Sequence, residues 1–69
     1  MSWQTEIRAE LVEWRVTNNN LSTQINSLMH MLQHGHIEDD AKIRAFIVRL
    51  ERQQKDAVDH IDALSSLLS

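Results

Sequence analysis

Two runs of residues, each spaced alternately by four and three, flank the only glycine of this chain, and no proline interrupts either run. The first is Ile7, Leu11, Trp14, Asn18, Leu21, Ile25, Leu28 and Leu32. The second is Ile43, Ile47, Leu50, Gln54, Ala57, Ile61, Leu64 and Leu68. Such spacing places each set along one stripe of an α-helix, as in the a and d positions of a heptad. Each stripe has one strongly polar break, Asn18 in the first and Gln54 in the second, and both breaks fall at a positions. Gly35 lies at the midpoint of the 69 residues, where a left-handed residue ends a helix at little cost. The pattern predicts an all-α fold: an antiparallel hairpin with helix 1 over about 3–34, a loop at 35–40 and helix 2 over about 41–67. Residues 1–69 then form one helical domain. Glu38, Asp39 and Asp40 place negative charge at the start of helix 2, with Asp39 or Asp40 as N-cap.

When a positions of one helix face d positions of the other, one register pairs the whole length. Leu32 meets Ile43, Leu28 meets Ile47, Ile25 meets Leu50, and Leu21 meets Gln54. Asn18 then meets Ala57, Trp14 meets Ile61, and Leu11 meets Leu64. Asn18 and Gln54 fall in adjacent layers, so a hydrogen bond between their amides is expected, setting the register at a cost in stability. Thr17-Asn18-Asn19-Asn20 is a run of poor helix formers that could divide helix 1, giving helices over 3–16, 20–34 and 40–67. The heptad phase passes through the run without a slip, which favours one continuous helix. Asn at an a position is also a determinant of parallel pairing, and Gly35 is the argument against a continuous rod.

A chain this short is marginal as an isolated unit and needs disulfides, a metal or association for stability. With no cysteine, disulfides and thiolate metal sites are excluded. Association is therefore expected, by homodimerisation into a four-helix bundle or through a protein partner. Apolar residues beyond the two stripes support this. Trp3, Val12, Val16, Met29, Met31, Phe46, Val48, Val58 and Leu67 lie where a two-helix seam cannot cover them all. With Trp14, on the seam but large enough to anchor a contact, they are the candidate partner or dimer interface.

The net charge of −3 is mild and argues against bulk attraction to nucleic acid or anionic lipid. No stretch approaches the length of a membrane span, and the first residues do not read as a secretory leader, so a cytoplasmic location is expected. Arg44, Arg49, Arg52 and Lys55 form a short basic stripe on helix 2 that could contact nucleic-acid phosphates, but Glu51 interrupts it and no aromatic interleaves Arg49, Arg52 and Lys55. His30 and His34 stand four apart, a spacing able to hold a divalent ion, with His36, Asp39 and Asp40 just beyond. They fall at outward positions with no Glu between them as in a metalloprotease helix, so no metal site is assigned. His60 sits beside the seam one turn after Asp56, a setting for a surface hydrogen bond. Nothing resembles a nucleophile–base constellation, and neither enzyme activity nor a cofactor is expected.

The helix–Gly35–helix outline resembles two groups of small proteins. It is similar in length and topology to the plasmid copy-number RNA-binding hairpin dimer, which implies nucleic-acid binding, although the basic reading face of that family has no clear counterpart here. It also resembles the helical-hairpin co-chaperones of type III secretion needle subunits. That similarity runs from Leu28 to Gly35, through a polar turn, into a helix whose Leu50-Glu51 leads to an apolar end. No signature motif carries either resemblance; the second implies a hairpin that holds helices of other proteins. The functional expectation is a small protein-binding regulator, adaptor or chaperone-like module.

Overall fold

A computed structural model describes residues 2–35 and 40–69. It contains two helices, α1 (Trp3–Gln33) and α2 (Asp40–Leu68), packed against each other as a hairpin. The molecule measures 52 × 15 × 14 Å, one helix long and two helices wide. α1 runs unbroken through Thr17–Asn20, so the three-helix alternative does not occur. Local propensity yields there to seam packing, because Leu21 and Ile25, immediately after the Asn run, are buried.

The chain ends α1 as its sequence dictates. The amide of His34 donates to the carbonyl of His30 at 3.2 Å, and that of Gly35 to the carbonyl of Leu32 at 3.3 Å. Gly35 has φ +67°, the left-handed conformation of a C′ residue. At the other end Ser2 is the N-cap in extended conformation; its hydroxyl meets that of Thr5 at 3.1 Å and does not cap a backbone amide. α2 includes Asp40 in its first turn, so the choice of Asp39 as its cap falls outside the described residues.

All sixteen seam residues are buried or half-buried, and the only other described residues withdrawn from solvent are Gln4, Ser22 and Ser65. The two 4–3 stripes therefore face each other within one chain. Leu21, Ile25, Ile47 and Leu50 form the core cluster, with Leu28, Leu32 and Ile43 packed around it on the loop side. Cross-helix contacts fix the expected register: Trp14 stacks on His60, next to Ile61, and Gln54 reaches Ser22, next to Leu21.

The polar layer departs from expectation in one respect. Gln54 Nε2 donates to Ser22 Oγ, not to Asn18, and Asn18 Oδ1 is buried without a partner. The register explains this. Asn18 faces Ala57, which has no polar side chain and is fully buried, while the long Gln54 side chain reaches the Ser22 hydroxyl one turn further along α1. The layer splits the core: Leu11 is the only buried leucine or isoleucine on its open side, where Ile7, Trp14, Ile61, Leu64 and Leu68 are only half-buried.

Candidate functional site

Because the seam is filled from both helices, whatever the molecule recognises must meet its outer faces. Among the described residues nine large apolar side chains stand there: Trp3, Val12, Val16, Met29, Met31, Phe46, Val48, Val58 and Leu67, between 39% and 58% exposed. They fall in distinct heptad rows. Trp3 and Met31 on α1 and Phe46 and Leu67 on α2 occupy g positions, on the side where His60 flanks the seam. Met29 and Val58 occupy e positions on the opposite side, with Val12 and Val48 next to them at b. Val16 stands alone on the back of α1.

On the second side the two helices leave a groove near the loop end, lined by Met29, Leu32, Gln33, Arg44, Ile47, Val48 and Glu51. Leu32 and Ile47 are seam residues that form its floor, Met29 and Val48 its apolar walls, and Arg44 and Glu51 its charged rim. An apolar trough with one charge of each sign at its edge suits the apolar stripe of an amphipathic helix.

Trp14 is absent from the exposed set. It is half-buried, its ring stacked on His60 with centroids 4.2 Å apart and planes 18° from parallel. His60 is held by a 2.7 Å contact of Nδ1 with the Asp56 backbone oxygen. Since that oxygen can only accept, Nδ1 carries the hydrogen. The hydrogen bond expected at His60 is therefore made to the backbone of Asp56, and the ring also covers Trp14 of the seam. Sequence reading missed the stack, although a g-position His one residue from the partner of Trp14 was the available signal.

The basic stripe does not converge. Arg49 and Arg52 line a shallow depression with Lys42, Ala45, Phe46, Val48, Gln53 and Asp56, whereas Arg44 borders the groove on the other side and Lys55 lines neither. Asp56 within the depression opposes a phosphate. The rings of His30 and His34 lie 4.1 Å apart at 58°, both exposed, and no third His, Cys, Asp or Glu joins them among the described residues. His36 and Asp39 lie outside those residues. No helix among the described residues is long and apolar enough to cross a membrane. Compared with protein-family models, curated proteins and solved structures, the chain matches none.

Proposed function

We propose that this chain is a small protein-binding module, a regulator, adaptor or chaperone-like hairpin that holds a helix of a partner protein and itself associates as a homodimer. The observation that carries the reading is the contrast between seam and surface. The seam is closed within one chain, yet nine large apolar residues among those described remain substantially exposed on a molecule only 15 Å across. Exposed apolar area concentrated in rows on so small a body is a binding surface or an aggregation liability. The groove of Met29, Leu32, Ile47 and Val48, rimmed by Arg44 and Glu51, is the seat proposed for the partner helix. The cysteine-free composition suits a reducing cytoplasm.

Site-specific photocross-linking in the native host tests this. A cross-linker at Met29 should give a discrete heterologous adduct that is lost on Val48→Lys, while the same group at Ala9, on the back of α1, gives none. Equal, diffuse labelling from both positions would overturn the reading.

The competing class is a nucleic-acid-binding dimer, supported by the clustering of Arg49 and Arg52 with Lys42 in one depression. It requires salt-dependent retention on RNA or DNA, lost on Arg49→Glu with Arg52→Glu. Absence of retention at low salt removes it.

A further inference from the structure

Resting on the protein-binding reading, we infer that the face carrying Trp3, Met31, Phe46 and Leu67 binds a second copy of this chain, the two hairpins stacked face to face with their ends exchanged. The groove on the opposite face then stays open for the heterologous helix. The four residues are 54%, 47%, 44% and 57% exposed and share the g row of their helices. Trp3 and Leu67 stand at the open end of the hairpin, Met31 and Phe46 at the loop end.

A closed pair of identical chains needs a two-fold axis, and for two stacked hairpins that axis lies in the plane between them. It has two natural directions. Along the helices, it places like ends together. Across the helices, it places each open end over the partner's loop end. Two observations select the second.

The first is spacing. On α1 the midpoint of Trp3 and Met31 is Thr17, an exposed residue of the same row. On α2 the midpoint of Phe46 and Leu67 falls between Asp56 and Ala57. The register that sets Asn18 opposite Ala57 brings these two midpoints to nearly one level. A single axis there lays Trp3 on Met31 of the second copy and Leu67 on its Phe46. With like ends together, Trp3 would instead face Leu67 across an offset of about 7 Å at 1.5 Å per residue.

The second is charge. Residues 1–19 and 56–69, the open half, hold six acidic and two basic side chains. Residues 20–55, the loop half with its connection, hold five basic and four acidic. Like ends together would set acid on acid, whereas exchanged ends set the acidic half on the basic one. The attraction acts over a Debye length of about 8 Å at physiological salt, so it selects orientation while the apolar row supplies adhesion.

Charge exchange between two variants tests the arrangement. Chain one carries Glu6→Lys, Glu10→Lys and Glu13→Lys; chain two carries Lys42→Glu, Arg49→Glu and Arg52→Glu, which lie beside Phe46. Sedimentation equilibrium in about 50 mM salt is expected to show wild-type dimer, self-association of each variant weakened at least tenfold, and a heterodimer restored in the equimolar mixture. Circular dichroism confirms that both variants remain helical. Oxidation of single-cysteine chains gives a second readout in a protein with no cysteine of its own. Thr17→Cys should form a disulfide with itself, and Trp3→Cys should cross-link to Met31→Cys but not to itself. Failure of the mixture to restore association, or cross-linking of Met31→Cys to Phe46→Cys between chains without self-linking at Thr17→Cys, overturns the exchanged-end dimer. A wild-type chain that stays monomeric also overturns it, while leaving the Met29 cross-linking result to decide the protein-binding reading separately.

Discussion

Replacing Asn18 with leucine should stabilise the protein. Asn18 stands at an a position of the seam, its Oδ1 is buried, and no donor reaches it. A buried acceptor left without a partner costs about 1–3 kcal/mol relative to one that is bonded. Opposite it lies Ala57, with none of its surface accessible, which leaves no polar group to reward the amide. Leucine is close to asparagine in size, continues the 4–3 pattern and favours helix. Full burial of a leucine contributes about 1.5–3 kcal/mol, and this site is half-buried, so about half of that applies. Taken at their low ends, these terms give a net gain of about 2 kcal/mol for Asn18→Leu. For a domain of this size that corresponds to a rise in Tm of roughly 8–16 °C. Asn18→Ala removes the orphaned oxygen without filling the seam and should gain about 1 kcal/mol by the same reasoning. The assay is thermal and urea unfolding followed by circular dichroism, at one fixed chain concentration because association adds to apparent stability. A loss of stability in both variants would refute the reasoning, since it would mean that the Asn18 amide is bonded in solution.

Three other outcomes are expected. Ile47→Ala should cost about 3 kcal/mol because Ile47 is 5% exposed within the core cluster, whereas Val48→Ala, at the adjacent 49% exposed position, should cost under about 0.5 kcal/mol; urea midpoints compare the two. Gly35→Ala should cost about 1 kcal/mol, all of it from the backbone, because φ is +67° and an added Cβ meets nothing within 4 Å; equal stability of the two chains would contradict the left-handed cap. In a Trp3→Phe background, His60→Ala should uncover Trp14 and shift its emission to the red, and an unchanged spectrum would contradict the stack.

Most of the fold was legible because helix packing is encoded by spacing. The stripe from Ile7 to Leu32 and that from Ile43 to Leu68 need only period and polarity to be read, and every member is withdrawn from solvent. Gly35 was equally legible, since no other residue in the chain takes positive φ so cheaply. The exposed residues from Trp3 to Leu67 followed by elimination, because a seam one stripe wide cannot cover several rows. What spacing could not supply was the choice among neighbouring polar partners. Gln54 selected Ser22 over Asn18, a choice that heptad spacing does not encode. The stack of His60 on Trp14 depended likewise on which side of the seam each ring leaned. The groove of Met29 and Val48 needed both helices in register before its walls could be seen.

Both proposed binding faces exist only if the two stripes close on each other within one chain, and an intrachain distance tests that most directly. Ala9 and Ser66 are both exposed, on the backs of α1 and α2 and away from both proposed binding faces. Spin labels on Ala9→Cys with Ser66→Cys, diluted with unlabelled chains, report their separation by pulsed dipolar spectroscopy. The hairpin predicts a single distance of about 30 Å, two helix radii and an interaxial spacing plus the labels. A continuous helix pairing with another chain would place them roughly 85 Å apart at 1.5 Å per residue, and a distribution centred there would contradict the account.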